Sequence, residues 1–430
     1  MLRNYTVNAK GHLEIGGIDS TELAKTYGTP LYVVDEDLVR KNCRIFKRAI
    51  DSNYDGNGMV FYASKAFCIK EMCRVIDSEG LGMDVVSGGE LYTAIQAGFP
   101  MEKVIFHGNF KTDPELEMAV KANVGRYVLD NLYEAERLNK IAEKYNKKVK
   151  ALLRVSPGTD AHTHDFILTG KIDSKFGTPI ENGSALKVIG EIIKYKNINL
   201  AGLHCHIGSQ IFELEPFNYT AKVMLNFLAD ANEEYNINMN ELNLGGGFGI
   251  KYIDEHTPVP YEKYMESVAK TIDEVCKVRK IDRPYIMMEP GRSIVAAAGT
   301  TLYTVGAIKE IENVRNYVTI DGGMPDNPRY ALYGAPYDII VANKADKEPD
   351  YTATIAGRCC ESGDLIQEHI KIAKPQPGDI IAVLDTGAYN YSMASNYNRL
   401  PKPAVVFIKE GQARLTVKRE SYEDITRNDI

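Results

Sequence analysis

A lysine closing an apolar, β-rich run, Val60-Phe61-Tyr62-Ala63-Ser64-Lys65-Ala66, suits a Schiff-base amine. A thiol among carboxylates in a glycine-bounded loop, Gly357-Arg358-Cys359-Cys360-Glu361-Ser362-Gly363-Asp364, suits proton transfer. Taken singly, Lys65 reads better as a solvated charge, and Cys359-Cys360 as two small apolar side chains. Taken together they suggest pyridoxal-phosphate chemistry on an amino acid.

Other segments supply what that chemistry needs. Gly245-Gly246-Gly247-Phe248-Gly249 follows an apolar run ending at Leu244, so its backbone N–H groups are free to face a phosphate, although a plain tight turn has the same composition. In Leu203-His204-Cys205-His206-Ile207-Gly208-Ser209-Gln210 the strand period puts His204 and His206 on one face, as metal ligands would be. No further ligand pattern accompanies them, and we prefer His206 as a flat surface stacked on a cofactor ring, with Ser209 reaching its phosphate. Glu289, in Met288-Glu289-Pro290-Gly291-Arg292, would hold a pyridine nitrogen protonated, or else pair with Arg292. Arg292, Arg329 and Tyr333 form a candidate carboxylate clamp, and Tyr389 is a candidate phosphate contact.

These residues have to be positioned by elements that the hydrophobic pattern foretells. Short apolar runs, each followed by a stretch of helical period, occur at 59–64, 81–86, 104–107, 127–129, 149–155, 200–207, 241–244 and 285–289. Strands alternating with helices in this way predict a (β/α)8 TIM-type barrel, with a doubly wound sheet as the rival. Lys65, His206, Gly245 and Glu289 all fall at or just past strand C-terminal ends, which converge on one mouth only in the barrel. After Arg292 the helical pattern gives way to β-type runs with Gly and Pro turns. The expected division is therefore residues 1–30 as N-terminal strands joining a β domain, 31–292 as the barrel and 293–430 as a mostly β, sandwich-like or barrel-like domain. The polar segment 159–177, with His162 and His164, is expected to be a lid.

Composition narrows the partners. With 51 Lys plus Arg against 58 Asp plus Glu, a net charge of −7 gives no basic field for nucleic acid or an anionic membrane. Seven cysteines, odd in number and without a C-x-x-C pair, fit a reducing compartment. The N-terminus lacks an apolar signal core, and no apolar run approaches the ~20 residues of a membrane span. A cytoplasmic location, a small-molecule substrate and association with copies of itself are expected.

The ordered motifs Tyr62-Ala63-Ser64-Lys65, Ser87-Gly88-Gly89-Glu90, Ser174-Lys175-Phe176-Gly177, His204 to Gln210, Glu289-Pro290-Gly291-Arg292 and Cys360-Glu361-Ser362-Gly363-Asp364 resemble those of the diaminopimelate decarboxylase family, within the fold-type III, alanine-racemase-like class of pyridoxal-phosphate enzymes. The resemblance spans almost the whole chain. It implies decarboxylation of meso-2,6-diaminopimelate to L-lysine as the last step of lysine synthesis. It also implies a homodimer whose sites are completed by Cys360 and Glu361 from the neighbouring subunit. By the same carry-over Lys65 binds the cofactor and Asp84 orders its surroundings. His206, Ser209, Gly245, Gly246, Gly247, Glu289, Gly291, Arg292 and Tyr389 hold the cofactor. Arg292, Arg329, Tyr333, Glu361 and Tyr389 contact substrate. The alternatives are a decarboxylase of another basic or diamino acid, a racemase, and a non-enzymatic pyridoxal-phosphate carrier.

Overall fold

The computed structural model describes residues 5–158, 175–253 and 255–430. The expected lid lies for the most part outside them, as do His162, His164 and Ser174. Among the described residues, contacts divide the chain into two compact units: a barrel unit of Cys43–Gly249 and Pro258–Gly291, and a β unit of Met1–Asn42, Ile250–Thr257 and Arg292–Ile430. These limits differ from the sequence-based ones at 31–42 and 250–257.

In the barrel unit, the parallel strands Gly58–Ala63, Gly82–Val85, Val104–Phe106, Arg126–Leu129, Val149–Ser156, Ile198–His204, Glu241–Asn243 and Tyr285–Met288 are ordered consecutively. The eighth pairs with the first, so the ring closes and a doubly wound sheet is excluded. Each expected run falls on one of these strands. Phe61, Ile105, Val128, Leu152, Ala201 and Met287 point inward and are almost wholly buried, filling the barrel as branched and aromatic side chains must when closure leaves no pore. Helices such as Gly88–Ala97 and Leu132–Lys144 start where Ser87 and Asn131 cap them, accepting from Glu90 N at 3.2 Å and Glu134 N at 2.9 Å.

The β unit is built on the strand Gly299–Ile311, which pairs antiparallel with Leu31–Asp35, Arg315–Ile320 and Ile380–Val383. Leu31–Asp35 also pairs parallel with Ala404–Lys409, so the first strand after Pro30 belongs to this sheet and not to the barrel. The strand Leu365–Ile372, paired antiparallel with Tyr351–Ala356, is hard to read in the sequence because charged residues on its exposed face break the alternation. The N-terminal strands Tyr5–Val7, Leu13–Ile15 and Ile18–Asp19 join the β unit, as expected, and do so as a separate three-stranded sheet. Leu13 and Ile15 still pack into the core with Leu31, Val33, Leu302 and Val406. No helix among the described residues is long and apolar enough to cross a membrane.

Candidate active site

At the end of the first barrel strand the chain enters a single 3-10 turn, Ser64–Ala66, whose flanking residues are buried while Lys65 is exposed. The desolvation expected for this amine is therefore absent in the single chain; its charge is instead felt by Asp84, Glu90 and His206. The turn is fixed from two sides. Ser64 donates to Glu90 at 2.9 Å, and Ala63 N donates to Pro290 O at 3.1 Å. A Cβ on Gly291 would lie 2.8 Å from the Ala63 side chain and 3.3 Å from that of Ala66, so only glycine lets the two loops meet.

Asp84, in the second strand, is 3% exposed, and its Oδ1 has no hydrogen-bond partner. Burial, reinforced by the charge of Glu289, pushes its carboxyl up to about 7 against the opposing pull of His107 and Lys65. A carboxyl whose folded pKa is raised favours folding most below its unfolded value, and loses that contribution as pH rises from about 4 to about 7. Asp84→Asn is thus expected to flatten the fall in apoprotein stability between pH 5 and pH 8 by about 2.5 kcal/mol, read from melting curves. Parent and variant melting curves that stay parallel across that range would show Asp84 ionised throughout.

After the seventh strand, Gly245 takes φ +69° and passes so close to Cys205 that a Cβ would sit 2.5 Å from its carbonyl oxygen. A Cβ on Gly246 would lie 2.1 Å from the Glu289 carbonyl oxygen. The glycine run is thus a close approach of three strand ends, beyond what a tight turn requires. Gly246 N donates to His206 Nδ1 at 3.3 Å, which leaves the proton of that ring on Nε2. Burial and the cations Lys65 and Arg154 hold the His206 imidazole well below its usual pKa, so it is neutral. Ile211 N to Gly247 O and Gly249 N to Ile211 O, both 3.0 Å, tie the loop carrying Ser209 to the glycines; Ser209 itself is exposed.

Glu289 closes the eighth strand, 7% exposed. Its Oε1 accepts from His107 Nε2 and from Asn243 Nδ2, each at 2.7 Å, and its Oε2 from His204 Nε2 at 3.2 Å. Burial alone would raise its pKa, but the two imidazoles hold it well below the usual carboxylate range. The alternative Glu289–Arg292 pair does not form; the cation partners of Arg292 are aromatic rings. His107, His204 and Glu289 have ligand atoms within 4.8 Å of one another, close enough for a metal. Those atoms already bond to each other, and the Asn243 amide adds a donor where a cation would sit.

Within the β unit, the Arg292 guanidinium lies 4.8 Å from the Tyr389 ring centroid, and that of Arg329 5.5 Å from the same ring. Arg292 Nη1 donates to the Tyr252 hydroxyl at 2.8 Å. Arg329 also lies over Tyr333, and its buried Nε has no partner among the described residues. Tyr389 holds φ +65°, a left-handed conformation that a bulky residue adopts only under constraint. Two guanidinium groups on one phenol, with no carboxylate paired to Arg329, make a site for an anion. Tyr252 and Tyr337, which meet edge to face at 5.6 Å, are part of this wall and went unrecognised in the sequence, where an isolated tyrosine carries no signal.

Cys360 and Glu361 are exposed, in a loop held by Asp364. This buried carboxylate accepts from Met324 N at 2.6 Å and Cys359 N at 2.7 Å, and so fastens the cysteine loop to the loop that leads into Arg329. Burial and the Asp364 charge push the Cys359 thiol up to about 12, which leaves Cys360 as the accessible one.

A family model described as pyridoxal-dependent decarboxylase, pyridoxal binding domain, matches residues 36–296. The chain is 48% identical to the diaminopimelate decarboxylase of Bacillus subtilis (strain 168), over 98% of its own length and 96% of that protein. It belongs to the diaminopimelate decarboxylase family. A second relative of that name, from Bacillus methanolicus, is 48% identical over 96% of each chain. The solved diaminopimelate decarboxylase of M. jannaschii in complex with L-lysine superposes with a TM-score of 0.92 at 35% identity, covering 100% of this chain and 99% of that one. Family membership gives the barrel and its mostly β companion unit their precedent.

Proposed function

We propose that this chain is a cytoplasmic, pyridoxal-phosphate-dependent carboxy-lyase that converts meso-2,6-diaminopimelate, at its D centre, to L-lysine and CO2 as the last step of lysine synthesis. The observation that carries the reading is the pair of guanidinium groups of Arg292 and Arg329 on the ring of Tyr389, in a chain of this family. A substrate with a second carboxylate at its far end suits that pair. A lysine, ornithine or arginine substrate would bring a distal cation against two cations.

The residues present fit pyridoxal phosphate. A Cβ on Gly245, Gly246 or Gly247 would collide, within 3 Å, with the carbonyl oxygen of Cys205, Glu289 or Gly208 respectively, so glycine at these positions keeps the loop's own Gly246 N–H beside His206. Ser209, Gly291, Arg292 and Tyr389 would also hold the cofactor, and the neutral imidazole of His206 offers it a flat face. A carboxylate has about four lone-pair directions, and Glu289 uses three of them, so Oε2 keeps one for a ring N–H. When bound, the cofactor supplies an electron-accepting ring and an aldehyde carbon.

Lys65 would be the residue that holds that carbon through its Nζ, with Asp84 ordering the amine's surroundings. Arg292, Arg329, Tyr333 and Tyr389 orient the distal carboxylate. In a homodimer, the partner subunit's Glu361 binds the distal ammonium, and the partner subunit's Cys360 delivers its Sγ proton to the carbon that has lost CO2. The choice of Cys360 over Cys359 follows from exposure, since a proton donor has to reach solvent or substrate to be recharged.

The test is product analysis of purified protein with pyridoxal phosphate and meso-diaminopimelate, with ornithine, arginine and lysine in parallel. Stoichiometric L-lysine and CO2 from the first alone is the expected result. A diamine from any of the other three would overturn the substrate assignment, and bound cofactor without turnover would favour the carrier.

A further inference from the structure

Two buried glutamates at the barrel strands, Glu241 and Glu289, are supported in opposite ways. Glu241, 5% exposed, is neutralised by cations: Arg126 donates to it at 2.7 and 2.9 Å, and Lys150 at 2.8 Å. Among the described residues no arginine or lysine donates to Glu289. Its three donors are two imidazoles and an amide, and the amide belongs to Asn243, two residues along the same strand from Glu241 and so on the same face.

Of those donors, the Asn243 amide carries no charge and His204 is held neutral by its burial. Burial pushes His204 down to about 4, so its ring is neutral and donates Nε2–H, while its buried Nδ1 has no partner. A buried carboxylate with three N–H bonds stays ionised without any cation to cancel its charge. The surrounding charged groups, Asp84, Arg154, Lys65 and Glu90, act only at longer range, and His206 beside them is neutral. Two bonds on Oε1 and one on Oε2 also leave a single open direction. An arginine in place of any of the donors would keep the carboxylate ionised but satisfied, with little left to offer a further N–H.

We propose that His107, His204 and Asn243 are positioning residues that keep Glu289 an ionised acceptor with one open lone pair, and thereby set the protein's preference for a ligand whose ring carries an N–H. This rests on the reading of Glu289 as the partner of the cofactor's ring nitrogen. The network would act through Glu289 and would not touch the reacting atoms.

The experiment compares binding of pyridoxal 5′-phosphate with that of its 1-deaza analogue, in which carbon replaces the ring nitrogen, by absorbance titration of the full-length apoprotein. The parent is expected to favour the nitrogen-bearing compound. His204→Leu and Asn243→Leu are each expected to reduce that affinity ratio about tenfold, the scale of one hydrogen bond to a charged group. His204→Gln, which keeps an N–H donor, is expected to restore most of it. Asn243→Ala, which removes the donor without adding bulk or charge, stands in where a leucine variant does not fold. An unchanged ratio in the donor-less variants, with a collapsed ratio in Glu289→Gln, would overturn the network and spare the reading of Glu289. An unchanged ratio in Glu289→Gln as well would overturn both.

Discussion

Lys65→Ala is expected to lower turnover of meso-diaminopimelate by at least about 10⁴-fold, the scale on which removal of a covalent catalyst is felt. The fold should hardly notice. Lys65 is exposed, and the contacts that shape its turn, Ala63 N to Pro290 O and the packing of Gly291 on Ala63 and Ala66, involve no atom of the lysine side chain. Stability within about 0.5 kcal/mol of the parent is the ordinary result for such a site. The rival amine near the strand ends is Lys111, which is 1% exposed and donates to Gly108 O at 3.0 Å, to Val128 O at 2.7 Å and to Glu134. All three of its protons are taken, and freeing it would strand a buried carboxylate. Borohydride reduction of the parent with pyridoxal phosphate, followed by peptide mapping, should therefore place the adduct on Lys65, and the alanine variant should give none. An adduct on Lys111 would sink the assignment whatever the kinetics.

The barrel was legible because its strands are buried on both faces and read as apolar runs, each followed by a helix of period 3.6. The strand Leu31–Asp35 has the same appearance, being wholly buried, yet it belongs to the other sheet; apolar runs report burial and say nothing about which neighbours supply it. At the site, residue types bound to one motif were found easily: Lys65, the glycine run, Glu289, Cys360. What escaped was the matter of partners. His204 drew attention only as a possible metal ligand, whereas it and His107 both donate to Glu289 from strands far apart in sequence. Asn243, sitting inside an apolar run, gave no sign at all. The expectation of a desolvated Lys65 failed for a related reason: the apolar run before it predicts a buried strand, and the 3-10 turn that lifts the amine out of that burial is set by Pro290 and Gly291, more than two hundred residues away.

Arg329→Ala tests specificity where Lys65→Ala tests chemistry. The guanidinium sits at the first residue of the helix Arg329–Tyr333, between the rings of Tyr333 and Tyr389, and pairs with no carboxylate among the described residues. Removing it deletes a cation without orphaning an anion, so the folded protein loses packing on two rings and little else. A bound carboxylate would lose one arm of its clamp, and truncating one member of a desolvated charge pair costs about 2 to 5 kcal/mol. The expected result is a fall in kcat/KM for meso-diaminopimelate of about 10²- to 10³-fold, carried mostly by KM because the contact lies away from the reacting carbon. Arg329→Lys restores the charge but not the planar fork, and should recover only part of the loss. Discrimination should move in step: with one cation gone, the repulsion that keeps a distal ammonium off Arg292 and Tyr389 is halved, and any residual activity on lysine or ornithine should rise relative to diaminopimelate. Steady-state kinetics on the three substrates reads both changes at once. Unaltered efficiency of Arg329→Ala on diaminopimelate would mean that the anion held on the Tyr389 ring is not the substrate's carboxylate, and the paired arginines would then have to serve the phosphate alone.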